Sequence, residues 1–197
     1  MTFRVITTME LFALNSPSKA IIFKERRLTY FKRTLFGLFL LILLGTLVPE
    51  KIQVTVAGAV ASDWNQNTFW YEPWGSSGVH KGVDIFGKVG TAVISAVDGF
   101  VIYKGHVDKG GNVVAVLGPK WRIHYYAHLK SDSVSTGQFV ERREVIGTLG
   151  DSGNAQGKPA HVHYSILSLL PHPWLVTTEP QGWKRMFYLD PDAILKR

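Results

Sequence analysis

One long apolar run stands out among the first 50 positions. The stretch Leu35–Val48 carries no charge and shows no alternation between an apolar and a polar helix face. The basic residues just before it are Lys24, Arg26, Arg27, Lys32 and Arg33. A basic flank ahead of an apolar segment predicts that the N-terminus stays on the cytoplasmic side of a membrane.

The length of this run bears on its role. Its 14 residues make about 21 Å of α-helix, whereas a spanning helix usually needs roughly 20 residues. A signal-peptide core has the shorter length, but the cleavage-like Ala59–Ala61 lies well beyond Val48. We therefore favour an uncleaved anchor over a cleaved signal. A buried core helix is disfavoured, because no amphipathic period is present.

Short runs rich in β-branched and aromatic residues begin after Ser62 and are separated by Gly, Asp and Pro. Such runs predict strands joined by turns. The runs are Thr91–Val97, Gly99–Gly105, Asn112–Leu117, Trp121–Ala127, Gly137–Gly147 and His161–Ser168. The predicted fold class is mainly β, a small antiparallel sheet domain preceded by the anchor or signal segment.

These patterns divide the chain into four segments. They are a basic cytoplasmic tail (1–34), the apolar segment (35–48), a linker (49–67) and the β domain (68–197). We expect Trp183–Arg197 to pack on the β domain, with Pro191 ending an extended piece. Everything after the apolar segment is expected outside the cytoplasm.

Composition narrows the chemistry. The chain has no cysteine, which excludes disulfides, thiol nucleophiles and cysteine zinc sites, so any metal must be held by His, Asp or Glu. The net charge is +7, of which +4 lies in residues 1–50. No basic stripe with interleaved aromatic residues is present, so we expect no nucleic-acid partner.

Histidine and aspartate stand at spacings that suit a metal site. His80 and Asp84 are four positions apart, and a loop entering a strand could turn both toward one point. His161 and His163 share one face if they lie in a strand. A catalytic zinc usually takes three protein ligands, and imidazole and carboxylate suit it. His80, Asp84 and one histidine of the pair could supply them.

The spacing alone leaves open which histidine of the pair binds metal. His128, at the end of a predicted strand, and the remaining histidine could act as a general base or stabilise an oxyanion. We exclude His106, His124 and His172 from the site. Of these three, His124 is the one most easily mistaken for a site residue, because in a regular strand it would face the same side as His128.

Three motifs in this order resemble the M23 (LytM/lysostaphin-like) zinc metallopeptidase family: H-x-x-x-D, Y-x-H-L and H-x-H. The resemblance covers about residues 75–168. It implies that the zinc ligands are His80, Asp84 and His163. It further implies that the catalytic histidines that do not bind zinc are His128 and His161.

The resemblance also implies an antiparallel β fold with an open groove, and a zinc-dependent endopeptidase that hydrolyses peptide bonds of peptidoglycan stems or crosslinks. The expected partners are thus a peptidoglycan peptide and, through the N-terminal segment, a membrane. A catalytically silent wall-binding module that regulates other hydrolases is the alternative. Such modules typically lack a metal ligand, whereas all five expected positions are filled here. A lipoyl-type carrier domain is disfavoured, since no acceptor lysine stands in a suitable turn.

Two features depart from the family pattern. Ser165 stands where an acidic residue is often found, and the stretch Phe69–Gly78 contains no arginine. Aromatic residues near that stretch could line the groove or fill the core; they are Trp64, Trp70, Tyr71 and Trp74. The loop Gly150–Asn154 could form a groove wall.

Overall fold

The computed structural model describes residues 17–196 as parts of two compact units, the first ending at Leu44 and the second beginning at Gly45. The first 16 positions of the predicted basic tail lie outside the described residues. Helix α1 (Pro17–Leu47) is continuous over 31 residues. The described part of the predicted tail is therefore helical and joins the apolar run without a break.

Helix α1 contains a stretch, Glu25–Leu47, that is long and apolar enough to cross a membrane by length and composition. The stretch has 23 residues, none of them buried. It is longer than the predicted apolar segment because the helix extends back through the basic flank. A signal sequence has the same properties, so the choice between anchor and signal stays a prediction.

The second unit is built on one antiparallel sheet. Its strands are β1 (Val83–Phe86), β2 (Ala92–Ile94), β3 (Gly99–Val107), β4 (Gly111–Gly118), β5 (Arg122–Asp132), β6 (Phe139–Val140), β7 (Val145–Leu149), β8 (His161–Ser168) and β9 (Tyr188–Leu189). The main order is β1-β8-β5-β4-β3-β6, β7 pairs with both β2 and β5, and β9 pairs with β8. The predicted fold class is confirmed.

Every predicted run overlaps an observed strand, but β2 is shorter than its run, and β1 and β9 lie outside the predicted runs. Strand β8 has the predicted bounds, whereas β5 runs on to Asp132. The predicted run Gly137–Gly147 divides into β6 and β7. A turn separates these two strands, closed by a hydrogen bond from the Glu144 N–H to the Glu141 carbonyl.

Alternation along β8 separates the core from a polar face. Val162, Tyr164 and Ile166 are fully buried in the hydrophobic core. The residues between them face the other side of the strand, because side chains alternate. The same alternation on β1 sends Val83 and Ile85 into the core. The faces of β1 and β8 turned away from the core are therefore free to build a site.

The segment predicted as a linker, residues 49–67, is part of the β domain. Val56 bridges to Val93 and Trp64 bridges to Ile85, and both Val56 and Trp64 lie in the core. The Trp64 indole N–H also donates to Asp192 at 2.9 Å. The hydrophobic core of the β domain therefore includes side chains from before residue 68.

The C-terminal segment packs on the domain as expected, but Pro191 has a different role. It opens a short helix, α2 (Pro191–Leu195), and the extended piece before it, β9, has already ended. The Asp190 side chain accepts from the backbone N–H groups of Asp192 and Ala193. Proline suits a first helical turn, since its missing N–H has no partner there anyway.

Tyr126 offers a test of this core. Its hydroxyl, fully buried, accepts from the Ala96 N–H at 2.8 Å. Tyr126→Phe leaves that N–H without a partner, so we expect a loss of about 1–3 kcal/mol of unfolding free energy in urea titrations followed by tryptophan fluorescence. The control Tyr103→Phe changes an exposed hydroxyl. Equal stability of the two variants would contradict the packing described.

Candidate metal centre

Strand pairing brings the candidate ligands together. In the β1–β8 ladder Asp84 is opposite His163. His80 lies just before β1 and approaches β8 through Gly82, where a Cβ atom would stand 2.3 Å from the Tyr164 carbonyl oxygen. Only glycine allows that close approach. The H-x-x-x-D motif therefore acts as a loop entering a strand, as predicted.

Three ligand atoms converge at this point. The His80 Nε2 atom is 3.1 Å from Asp84 Oδ1 and 3.1 Å from His163 Nδ1. The His163 Nδ1 atom is 2.8 Å from Asp84 Oδ1. Two nitrogens and one carboxylate oxygen form the donor set that zinc accepts in catalytic sites. The residues present thus fit a metal ion.

The outer nitrogens of the two histidines support this assignment of roles. His80 donates through Nδ1–H to the Thr68 carbonyl at 3.1 Å. His163 Nε2 lies 2.9 Å from the Ser165 hydroxyl, which accepts its N–H in the tautomer that frees Nδ1. Each neutral imidazole carries one N–H, so these tautomers leave a lone pair for a metal on His80 Nε2 and His163 Nδ1. Protonation of either nitrogen makes it a hydrogen-bond donor to Asp84 instead. Hydrogen bonds of this kind orient metal-binding imidazoles.

The electrostatics favour the protonation states that a metal requires. Burial tends to raise the pKa of Asp84, but the hydrogen bonds of His163 and His80 outweigh it and hold the pKa well below its usual range. Burial lowers the pKa of His163 despite the nearby Asp84 carboxylate. At neutral pH the site therefore presents an ionised carboxylate and a neutral imidazole, which are the metal-binding forms.

His128 and His161 lie beside this cluster with their ring centroids 4.9 Å apart. His128 Nδ1–H donates to the Ser152 carbonyl at 2.9 Å, and His161 Nδ1–H donates to the Pro159 carbonyl at 2.8 Å. In the neutral form of each ring, the Nε2 atom therefore has no proton. Burial lowers the pKa of His128 to about 4. His128 is therefore neutral at pH 7 and able to accept a proton.

A β-bulge sets the direction of His128. Along the β4–β5 ladder Val114 pairs with Tyr126 but Asn112 pairs with Leu129, so β5 carries one extra residue there. His128 has a left-handed φ of 65° within the bulge. Bulges re-aim side chains beside functional sites. In a regular strand His124 and His128 would face the same side. The extra residue in the bulge turns His128 to the other side, so the two histidines point in different directions.

The three excluded histidines lie outside the cavity that holds these five residues. His124 is fully buried, accepts from the Tyr164 hydroxyl at 2.7 Å and contacts Glu50 at 3.3 Å. Burial lowers its pKa. His106 contacts Asn112, and His172 contacts Ser168. Each therefore has a structural contact of its own away from the cluster.

The cavity is an open groove of about 770 Å³. Trp74 lines it and stacks on His80, with ring centroids 4.0 Å apart. Trp64 and Trp70 are buried instead, and Tyr71 is exposed against the edge of Trp74. The groove floor carries apolar surface from Ile123, Tyr125, Leu167 and Tyr188. Asn154, the last residue of the loop predicted to form a groove wall, and its neighbour Ala155 both line the groove.

Sequence reasoning missed the groups that hold the histidines in place. Backbone carbonyls of Thr68, Ser152 and Pro159 leave no signature in a sequence, because every residue has one. Ser165 could have been found, since it lies two positions after His163 on the same strand face. The family pattern drew attention to Ser165 only as a departure, because an acidic residue is often found there.

Comparison with known proteins gives three findings. A family model described as "Peptidase family M23" matches residues 78–171. The L-Ala--D-Glu endopeptidase of Bacillus subtilis (strain 168) is 32% identical over 146 residues, which is 66% of this chain and 43% of that protein. The murein hydrolase activator NlpD of Escherichia coli (strain K12) is 33% identical over 92 residues, 46% of this chain and 24% of that protein.

The fold is similar to that of a solved structure, the catalytic domain of the peptidase lysostaphin from Staphylococcus simulans. The TM-score is 0.54 at 23% identity, covering 69% of this chain and 95% of that one. This likeness concerns the fold. The chain spans less than half the length of the two curated relatives.

Metal content tests the ligand set. We expect His163→Ala and Asp84→Ala to lose most bound zinc, because each removes one of three converging donors, whereas His161→Ala keeps it. Zinc per chain is measured by plasma mass spectrometry after dialysis of the full chain in detergent. Full occupancy in His163→Ala would remove His163 from the ligand set.

Ser165 provides a finer test. Ser165→Ala removes the hydroxyl that orients His163, and loss of such a contact typically costs 10- to 100-fold in metal affinity. The matched control is Ser168→Ala on the same strand, whose hydroxyl donates to the Leu170 carbonyl. Zinc affinities come from competition with a chromophoric chelator. Identical affinities in the two variants would mean that Ser165 does not orient the ligand.

Proposed function

Because residues 78–171 belong to peptidase family M23, we propose that the chain is a zinc-dependent endopeptidase acting on peptide bonds of peptidoglycan stems or crosslinks. The observation that carries the proposal is the convergence of His80, Asp84 and His163 with two further histidines in one groove. The names of relatives support the substrate class, since one is an L-Ala--D-Glu endopeptidase.

We assign the zinc ligands as His80 Nε2, Asp84 Oδ1 and His163 Nδ1. Zinc bound at such a site polarises a substrate carbonyl and lowers the pKa of a bound water toward 7. Thr68 and Ser165 hold the two imidazoles in the tautomers that present those nitrogens. Trp74 covers one face of His80 and limits its rotation.

We assign proton transfer to His128 and His161. Each presents an unprotonated Nε2 atom, so either can accept the proton of the attacking water while the new C–O bond forms. The protonated imidazole then returns that proton to the nitrogen of the leaving amine as the C–N bond breaks. The other histidine stabilises the charge that develops on the carbonyl oxygen.

The groove shape agrees with a polymeric substrate. It is open, so a strand of a crosslinked network can enter from the side. The apolar floor from Ile123, Tyr125 and Leu167 offers contact area beside the reacting centre. Binding energy from such remote contacts positions the scissile bond at the catalytic groups.

Helix α1 supports placing this groove outside the cytoplasm. A basic flank before an apolar helix retains the N-terminus inside and exports the chain beyond the helix. As an anchor, α1 would hold the domain at the membrane surface, and as a signal it would release it. Both outcomes bring the groove to the cell wall.

A second candidate function is activation of other wall hydrolases. The similarity to NlpD, a murein hydrolase activator, favours it. An activator needs no complete metal site, yet all five residues of the expected set are present and mutually oriented here. The hydrolase is therefore the better-supported function.

Digestion of purified sacculi separates these two functions. The zinc-loaded full chain in detergent is incubated with peptidoglycan of several chemotypes, and released fragments are identified by mass spectrometry. We expect new peptide ends that disappear with a chelator. Zinc-loaded protein that releases none from any chemotype would contradict the endopeptidase and favour the activator.

His161→Ala tests the proton-transfer role. We expect zinc content to stay constant while turnover falls about 10²- to 10⁴-fold, the usual contribution of a positioned acid or base. His172→Ala, outside the groove, is the matched control and should retain activity. Unchanged turnover in His161→Ala would remove that residue from the mechanism.

A further inference from the structure

Three lysines line the groove around the metal centre: Lys81, Lys109 and Lys158. We call them the lysine rim. Among the described residues that line the groove, the only carboxylate is Asp84, and its Oδ1 atom is taken by His80 and His163. The groove therefore has an excess of positive charge, which a bound divalent metal would increase.

The rim lysines are not neutralised by neighbouring carboxylates. Among the described lysines of residues 49–196, the ion pairs are Lys104 with Asp132 and Lys196 with Asp192. Lys81 Nζ instead donates to the Ser77 carbonyl at 3.3 Å, and Lys109 Nζ donates to the Ser76 carbonyl at 2.9 Å. An ammonium group has three N–H donors, so further donors remain for a ligand.

A fourth lysine adds charge to the same place. Lys184 Nζ donates to the Gln181 side-chain oxygen at 3.0 Å, and Gln181 Nε2 donates to the Ser77 carbonyl at 2.9 Å. The turn around Ser77 thus gathers ammonium groups from three separate segments. Like charges held together repel each other, so an anion placed among them is attracted by all.

Each rim lysine is adjacent to backbone that positions a histidine of the site. Lys81 comes directly after His80. Lys109 precedes Gly110, whose carbonyl accepts from the His128 N–H at 2.7 Å. Lys158 precedes Pro159, whose carbonyl accepts from His161 at 2.8 Å. Three segments that position histidines of the site therefore each carry a lysine that lines the same groove.

We propose that the lysine rim is a carboxylate-binding subsite, and that the chain takes acidic peptides with free carboxylates near the scissile bond in preference to neutral ones. This rests on the proposed endopeptidase function and specifies its substrate. Among wall peptides, it selects stem segments with free glutamate and diaminopimelate carboxylates over glycine bridges. Amidation of those carboxylates removes the charge that the rim recognises.

The test uses two synthetic stem peptides, L-Ala-γ-D-Glu-diaminopimelate-D-Ala and the same peptide with its side carboxylates amidated. Calorimetry with the zinc-loaded full chain in detergent gives both dissociation constants, and mass spectrometry monitors cleavage. We expect the acidic peptide to bind roughly tenfold more tightly, as charge-assisted hydrogen bonds allow. The difference in affinity between the acidic and the amidated peptide should decrease as the salt concentration is raised.

Variants assign the preference to the rim. Lys81→Gln and Lys109→Gln should each weaken binding of the acidic peptide several-fold, leave the amidated peptide unaffected and keep the zinc content. Lys109→Glu should reduce the preference further. The control Lys88→Gln changes an exposed lysine outside the groove and should behave as the unmodified chain does.

Binding and cleavage separate the two proposals. The carboxylate subsite is overturned if the acidic and amidated peptides bind equally. It is also overturned if Lys88→Gln weakens binding of the acidic peptide as much as Lys81→Gln does. Both outcomes count whether or not peptides are cut. Tighter binding of the acidic peptide without cleavage of either one supports the subsite, and the endopeptidase is then decided by the digestion of crosslinked sacculi.

Discussion

The antiparallel pairing of β1 with β8 is the constraint on which the site depends. It places Asp84 opposite His163, and the core residues Val162 and Tyr164 fix that register from the other face. A slip of one residue would turn the histidines into the core and the apolar residues into the groove. The same packing that stabilises the sheet thus defines the positions of two candidate ligands.

A second layer of contacts determines what the histidines can do. Backbone carbonyls of Thr68, Ser152 and Pro159 each accept an imidazole N–H, and the Ser165 hydroxyl contacts the remaining ring. Backbone groups in ordered turns have little freedom, so the imidazoles are held ready before substrate arrives. Such preorganisation reduces the reorganisation needed during reaction. Lys109 and Lys158 of the lysine rim stand directly before residues whose carbonyls position His128 and His161. The same turns therefore carry both the proposed carboxylate-binding groups and the contacts that orient the histidines.

The sequence was informative wherever a residue type and a local period determine geometry. The H-x-H spacing predicted two imidazoles on one strand face, and the β-rich runs predicted the antiparallel sheet. The bulge that turns His128 into the groove could not be predicted, because it depends on how β4 pairs with β5. Trp64 was placed in a linker for a similar reason, since its partners Ile85 and Asp192 are distant in sequence.

X-ray absorption at the zinc K-edge tests the central claim, that His80, Asp84 and His163 form a metal centre with one position open. We predict two imidazole nitrogens at about 2.0–2.1 Å and carboxylate or water oxygens at about 2.0–2.2 Å. Loss of one imidazole signal in His163→Ala, but not in His161→Ala, would identify the ligand. A spectrum with no imidazole contribution, or one unchanged by His163→Ala, would contradict a metal centre built from these three residues.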